Sequence, residues 1–573
     1  MVTLTIDQKT VTVAEGTTIL EAARGAGIAI PTLCYWKGVN EVGACRVCLV
    51  EIEGCGSLRA SCNTLAEEGM VVHTNSRAAR LARKDVVSMM LSRHDCHCPT
   101  CPRNGNCALQ SLAADLNILD LPYPKEVPEN HWNRSFPLIR EESKCITCLR
   151  CVSVCEKIQG LKVWDLLGTG SRAHVGLSRA DRIEESNCSL CGQCITHCPT
   201  GALHARDDTE RVFDALEDPD TITVVQIAPA VRTAWAEQMG LSKEEASERR
   251  MVAAVKALGF DYVLDTVYSA DMTIMEEANE FLHRFTHRED YAWPMFTSCC
   301  PGWVRFVKSE FPDFVGHLSS AKSPQQIFGA VIKTYFAQRI GVDPNKIYSV
   351  SIMPCTAKKY EADVESLRDA GAGQDVDCVI TTRELSRMLR VAHVDAKQLP
   401  ERDFDTPLGI GTGAGTIFGT TGGVMEAALR TASYLMTGKN PDPDAFRTVR
   451  MEEGWRISEL DMAGAKVRVA VSSGLNNARQ LLEAIRSGEV QVDFVEIMAC
   501  PGGCAGGGGQ PITFNQELAA QRGRELRLLD TARHLRFSHE NPDVQQTYQD
   551  FFEKPLSETA HRLLHTDQNQ WPL

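Results

Sequence analysis

CITCLRCVSVC at 145–155 and CSLCGQCITHC at 188–198 set eight thiols in two runs of one spacing, C-x2-C-x2-C-x3-C. In such a run three thiolates converge on one iron–sulfur cube, and the fourth ligates the cube of the other run. Cys145, Cys148, Cys151 and Cys198 are therefore expected to hold one 4Fe–4S cluster. Cys188, Cys191, Cys194 and Cys155 should hold the other. Pro199 follows the second run, whereas Glu156 stands where the first would carry its proline. Two zinc knuckles would not need eight cysteines in this order.

Upstream, residues 1–77 read as a small sheet with one helix, a β-grasp ferredoxin-like domain. VTLTID and VTVAEG alternate like strands around a hairpin at Gln8-Lys9, and Thr18-x-x-Glu21 is a capping box opening ILEAARGAG. Cys34, Cys45, Cys48 and Cys62 then follow as C-x10-C-x2-C-x13-C. A first gap, a C-x2-C pair and a distant fourth thiol make a plant-type 2Fe–2S pattern, here with a longer first gap. Four thiolates also suit zinc, but the strands before them favour iron–sulfur. Residues 78–136 give His94, Cys98, Cys101 and Cys107. Alone, one imidazole and three thiolates would read as structural zinc. Between two iron–sulfur segments they read as a 4Fe–4S site whose neutral histidine ligand alters cluster charge and potential. Residues 137–209 form the two-cluster ferredoxin-like segment.

The whole chain agrees with a multidomain redox protein. Its 573 residues exceed one ordinary core, and 43% hydrophobic with 23% charged residues is a globular balance. The net charge of −14 argues against nucleic acid as a partner. No run of 18 apolar residues is present, so no membrane span is expected. MVTLTIDQKTVTVAEG lacks a basic start and reads as the beginning of a fold rather than an export signal. With 23 cysteines in ligand spacing, the setting expected is a reducing cytoplasm.

Residues 210–573 are expected to form an α/β domain. The apolar runs TITVVQIAP, IYSVSIMP, VDCVITT, KVRVAVSSG and VDFVEIMAC alternate with helical stretches such as MEEANEFLHRF, which implies mostly parallel sheets. GIGTGAGTIFGTTGG looks like a phosphate loop but lacks the lysine of a P-loop, and Phe418 takes the last glycine of G-x-G-x-x-G. Its glycines read instead as close packing beside a cofactor. Five further cysteines stand at TSCCPGW (Cys299, Cys300), MPCTAKK (Cys355) and MACPGGCAGGGGQP (Cys500, Cys504). Four of them suffice for one more 4Fe–4S cluster, with one thiol left beside it.

In these three motifs the chain resembles the iron-only (FeFe) hydrogenases of the large clostridial type, with the accessory-cluster sites in the same order. The resemblance implies an H-cluster, a 4Fe–4S cube joined through one cysteine to a two-iron subsite carrying CO, cyanide and an azadithiolate. Cys300, Cys355, Cys500 and Cys504 match the cube ligands, Cys504 the bridge, and Cys299 the thiol that passes protons to the subsite amine. The family's proton route then maps onto Cys299, Glu277, Ser319, Glu280 and Arg284. Periodicity by itself reads Glu277, Glu280 and Arg284 as one solvated helix face. Lys358 matches the lysine beside one cyanide, and Ala228 and Pro229 the backbone near the other. Gln325, Met353, Phe418 and Met498 match pocket-lining positions.

The activity implied is reversible interconversion of dihydrogen with two protons and two electrons. A hydrogen sensor is the alternative, though sensor relatives typically replace the cysteine found here as Cys299. An iron–sulfur assembly protein would lack TSCCPGW, and a respiratory complex I subunit would not explain residues 210–573. No flavin or NAD site is visible, so the electron donor is expected to be ferredoxin or flavin- and NAD(P)-binding partner subunits. HRLLHT near the C-terminus is reminiscent of the latter group. Maturase proteins are expected to supply the two-iron subsite. Cys55, Cys96 and Cys378 are left as non-ligands.

Overall fold

Val2–Ile6 (β1) and Lys9–Val13 (β2) pair antiparallel through a two-residue turn at Asp7 and Gln8, both with positive φ (43° and 69°). The pivot is one residue earlier than the alternation suggests, because the left-handed turn that matches strand twist needs both central residues at φ > 0. Leu49–Ile52 (β3), Arg59–Ala60 (β4) and Val71–His73 (β5) complete a sheet ordered β2-β1-β5-β3-β4. Thr18 caps the helix Ile19–Gly25 by accepting from Glu21 N at 3.3 Å. The expected box is only half closed. The Glu21 carboxylate instead accepts from Tyr35 Oη at 2.9 Å and pairs with Lys37 at 3.0 Å.

The computed structural model describes every residue except 452, 453, 463, 515 and 573. It comprises two compact units. The first is Met1–Ile158, Lys162–Ser186 and Gln193–Arg206; the second is Gln159–Leu161, Asn187–Gly192 and Asp207–Leu573. The first unit also holds Leu138–Arg140 (β6), Trp164–Leu167 (β7), His174–Leu177 (β8) and Leu203–Ala205 (β9), paired antiparallel as β6-β9 and β7-β8.

The second unit is built on two four-stranded sheets. In chain order its strands are Ile222–Ile227 (β10), Tyr262–Asp265 (β11), Met295–Phe296 (β12), Ile347–Met353 (β13), Cys378–Thr381 (β14), Trp455–Met462 (β15), Ala465–Ser473 (β16) and Phe494–Met498 (β17). One sheet runs β11-β10-β13-β14 and is wholly parallel; the other runs β12-β17-β16-β15 with only the β15–β16 pair antiparallel. The expected alternation of strands and helices thus holds, and the near-continuous Val/Ile strands are buried as parallel sheets require. Parallel strands all end on the same edge, and that edge is where ligand-binding loops gather. Ala228, Pro354-Cys355, Thr297–Cys300 and Ala499-Cys500 follow β10, β13, β12 and β17.

The helix Thr266–Thr286, capped by Asp265 accepting from Val267 N at 3.0 Å, is buried along most of its length. Glu277, Glu280 and Arg284 are 1%, 7% and 7% exposed, so the solvated-face reading of this stretch is overturned. A helix packed on all sides hides its polar face too, and periodicity cannot tell that from a surface helix.

The C-terminal segment is tied to this unit by a buried ion cluster. Arg430, fully buried, reaches Glu426 at 2.8 Å and both Asp530 oxygens at 2.9 and 3.1 Å. Replacing one member strands the other charges in a dry site, which costs about 3–5 kcal/mol. Arg430→Met is expected to destabilise the protein by that order, read as a lower denaturant midpoint. Exposed Arg456→Met should leave the midpoint within about 0.5 kcal/mol.

Candidate functional site

In the second unit the strand ends converge on a cavity of about 80 Å³ lined by Cys299, Cys300, Cys355 and Cys504. Cys300 caps the helix Pro301–Glu310, and Cys355 stands just before the helix Ala357–Asp363. A helix N-terminus favours a thiolate. Cys500 is buried behind them, with its Sγ 3.6 Å from the Cys191 carbonyl. Burial first, and then the neighbouring cysteines, pushes the thiols of Cys355 (up to about 12), Cys500 and Cys504 upward. These three thiols resist ionisation unless a cationic cluster compensates them, and with Cys300 beside them they offer the four-thiol donor set an iron–sulfur cube needs. The glycines after Cys504 make the approach possible: a Cβ at Gly507 would lie 2.1 Å from Pro354 O, and one at Gly508 2.4 Å from Cys191 O.

Ala228, Pro229, Gln325, Met353, Phe418 and Met498 all line the same cavity, together with Pro354, Thr266 and Gly419. Lys358 Nζ donates to Glu361 Oε2 at 2.8 Å and to Cys299 O at 3.1 Å, using two of its three donors. Burial pulls its pKa down, but the Glu361 carboxylate outweighs this and the net shift is upward. Glu361 escaped the sequence reading; its one signal was the i, i+3 spacing from Lys358. Gln325 Nε2 and Ser323 Oγ also donate to Glu361 Oε2, at 3.2 and 2.9 Å.

The carboxylates of the long helix differ in partners. Glu280 accepts from Arg284 Nη2 at 2.6 Å, from Ser319 Oγ at 2.7 Å and from the Ser320 hydroxyl at 3.0 Å. Against the upward push of burial, the Arg284 charge holds its pKa below the usual value. Among the described residues neither oxygen of Glu277 has a hydrogen-bond partner, the nearby Ser319 hydroxyl being given to Glu280. Burial, with the Glu280 charge added, pushes Glu277 up to about 8. Burial and the nearby Glu277 raise the Cys299 thiol as well. At neutral pH the set therefore holds a neutral Glu277 beside an ionised Glu280.

In the first unit Cys145, Cys148, Cys151 and Cys198 line one cavity with Trp164 and Val175. Cys34 and Cys45 lie side by side, each backbone N–H 3.5 Å from the other's Sγ, while the Cys48 thiol hydrogen-bonds with Cys62. Asn40 Nδ2 bridges Cys34 O (2.7 Å) and Cys148 O (3.0 Å), and buried Arg150 donates to Cys34 O at 3.1 Å and Tyr35 O at 2.8 Å. Those two residues join the first cysteine set to the third, and nothing in their spacing announces it. His94 is buried, with Nδ1 unpartnered among the described residues, and burial followed by the Lys125 charge lowers its pKa to about 4. It is thus neutral, the form that ligates metal. Arg103 donates to Cys198 O at 3.3 Å and lies close to Cys101 and Cys107. Cys155 and Cys194 belong to the first unit, Cys188 and Cys191 to the second. Cys55 and Cys96 are exposed; Cys378 is buried in β14.

Residues 221–508 match the C-terminal domain of the iron-only hydrogenase large subunit. The chain belongs to the iron-only hydrogenase family. Residues 1–77 match a 2Fe–2S cluster binding domain, 83–121 the NADH-ubiquinone oxidoreductase-G iron–sulfur binding region, 144–202 a 4Fe–4S dicluster domain, and 516–569 the iron hydrogenase small subunit. It is 44% identical to the NADP-reducing hydrogenase subunit HndD of Solidesulfovibrio fructosivorans, over 99% of this chain and 98% of that one. Identity to iron hydrogenase 1 of Clostridium pasteurianum is 38%, over 96% and 97%. An apo [FeFe]-hydrogenase HydA1 structure from Chlamydomonas reinhardtii superposes with a TM-score of 0.56 at 39% identity, over 63% of this chain and 98% of that one. The protein is therefore a hydrogenase with 2Fe–2S and 4Fe–4S clusters besides its H-cluster. No helix among the described residues is long and apolar enough to cross a membrane.

The His94 site makes a direct test. His94→Ala should remove one 4Fe–4S signal from the EPR spectrum of the reduced protein and leave the other clusters intact. Cys96→Ser, whose thiol sits 3.1 Å from Lys125 Nζ, should leave every cluster signal as in the parent.

Proposed function

We propose that Cys300, Cys355, Cys500 and Cys504 hold the H-cluster cube, with Cys504 as the bridge to the two-iron subsite, and that Cys299 is the proton-exchanging thiol. When bound, the H-cluster supplies the metal chemistry that makes and splits dihydrogen. The protein's share is to seat it, keep water out and move protons. Buried Val, Met and Phe side chains close the surroundings, and Lys358 keeps a third N–H free to donate toward an anionic ligand in the cavity.

Protons pass between Cys299 and the surface along the set Glu277, Ser319 and Glu280, with Arg284 at its outer end holding Glu280 in place. The observation that supports this route most is the orphaned Glu277. A carboxyl with no fixed partner and a pKa near about 8 gives up and regains a proton at low cost near neutrality. Ser319 bonded to Glu280 at 2.7 Å supplies the next link.

Electrons reach the cube through the accessory clusters: one 2Fe–2S site at Cys34, Cys45, Cys48 and Cys62, and three 4Fe–4S sites, one of them at His94, Cys98, Cys101 and Cys107. Cys191 against Cys500 marks their last step. We place the 2Fe–2S β-grasp domain at 1–77, the small domain with one histidine and three cysteine ligands at 78–136, the dicluster domain at 137–209 and the H-cluster domain at 210–573. The resemblance over both full lengths to a subunit of an NADP-reducing hydrogenase supports flavin- and NAD(P)-binding partner subunits as the electron donors, with ferredoxin as the alternative. We assign a cytoplasmic setting, and maturase proteins as the source of the two-iron subsite.

Cys299→Ala should keep the H-cluster and its CO binding while turnover falls by about 10² to 10⁴, the range for losing a positioned acid–base group. Glu277→Gln should do the same, since an amide passes no proton, and the parent's hydrogen evolution should weaken as pH rises through about 8. Parent turnover in both variants sinks the route. Affinity purification of the natively expressed chain should bring down flavin-bearing subunits and NAD(P)H-dependent hydrogen evolution; ferredoxin-linked activity alone would decide for the alternative.

A further inference from the structure

Arg284 ends the relay on Glu280, yet a guanidinium does not release a proton in the physiological range. It donates to Glu280 at 2.6 Å and to Leu318 O at 3.0 Å, which orients the carboxylate without refilling it. A group able to exchange protons reaches Glu280 from the C-terminal run HRLLHT. The segment around His565 pairs with the loop after Ser319: Lys322 N donates to Leu564 O and Thr566 N to Ser320 O, both at 2.8 Å. This fixes His565 Nδ1 2.8 Å from Ser320 Oγ, which is itself 3.0 Å from Glu280 Oε1.

The other side of the ring is equally determined. Glu276 Oε2 lies 3.0 Å from His565 Nε2 and accepts from Leu556 N at 2.9 Å, while Tyr548 Oη donates to Oε1. With Glu276 accepting from Tyr548 and Leu556 N, the ring meets it as a donor when Nε2 carries the proton. Two states then satisfy every atom. With a neutral ring, Ser320 donates to Nδ1; with an imidazolium, Nδ1–H donates to Ser320 and Ser320 donates to Glu280. The two differ by one proton on the His565 ring.

We infer that Ser320 and His565 form a second arm of the proton relay, filling Glu280 from the C-terminal segment while Arg284 only positions it. In the inward step the Nδ1–H bond breaks as Ser320 Oγ takes that proton, and the Ser320 O–H bond breaks as Glu280 Oε1 takes the other. The imidazolium becomes neutral, the carboxylate becomes a carboxylic acid, and no electron moves. Glu276 orients the ring. The exposed His561 ring lies 4.6 Å away between centroids. Glu276, Glu280, Arg284, Tyr548 and His561 are the ionisable groups around His565.

The inference rests on Glu280 belonging to the relay, so Glu277→Gln is the control. In the mature holoenzyme, Ser320→Ala and His565→Gln should each slow hydrogen evolution by about three- to tenfold, less than the 10² expected for a sole relay group. Both should raise the solvent deuterium isotope effect, with the infrared bands of the CO-inhibited H-cluster unchanged. Independently of turnover, the protonated-carboxyl stretch that Glu280→Gln abolishes should persist to higher pH in His565→Gln, because that carboxylate loses a neighbouring cation. Parent rates and isotope effects in both variants, with Glu277→Gln crippled, would overturn the second arm alone. Slower turnover with an unchanged isotope effect and an unmoved carboxyl band would also overturn it, as a packing effect. If Glu277→Gln runs at the parent rate, the relay itself fails and this arm falls with it.

Discussion

Thiolates gathered in a dry cavity repel one another, and only the charge of iron makes the gathering favourable. That constraint shapes the second unit. Cys300, Cys355 and Cys504 can share a wall of the 80 Å³ cavity only because parallel strands end on a common edge and glycines let the Cys504 loop rest on Pro354 and Cys191. The burial that raises the Cys355 and Cys504 thiols also seals the site, so the field that would harm an empty site serves a filled one.

Partner accounting on one buried helix then decides where protons reside. Glu276, Glu277 and Glu280 are chemically alike and within five residues of each other. Glu276 has Tyr548, Leu556 N and His565; Glu280 has Arg284, Ser319 and Ser320; Glu277 has none. Burial without compensation favours the neutral acid, whereas burial with a guanidinium favours the anion. The difference between a neutral carboxyl and an ionised one nearby is set here by environment rather than by residue type.

The first unit applies the same economy to electrons. Asn40 and Arg150 reach the backbone of Cys34, and Asn40 also that of Cys148, so one hydrogen-bonded network spans the two cysteine sets. Arg103 does the same between Cys198 and the cysteines near His94. Neutral amides and buried cations around thiolates stabilise their charge, which is one of the levers on cluster potential.

What the sequence determined by itself was whatever depends on local spacing. Cysteine intervals, alternating apolar runs and the three motifs carry the iron–sulfur character, the mixed α/β class and the family, because ligand spacing and strand period are local constraints. Tertiary structure decided what depends on residues far apart in the chain. Glu277, Glu280 and Arg284 read as a wet helix face until the surrounding helices buried them. Glu361 as the counter-ion of Lys358, Asn40 and Arg150 as the bridges between cysteine sets, and His565 beside Ser320 across 245 residues became visible only in the fold. Burial and hydrogen bonding are properties of neighbours in space, and no one-dimensional period encodes them.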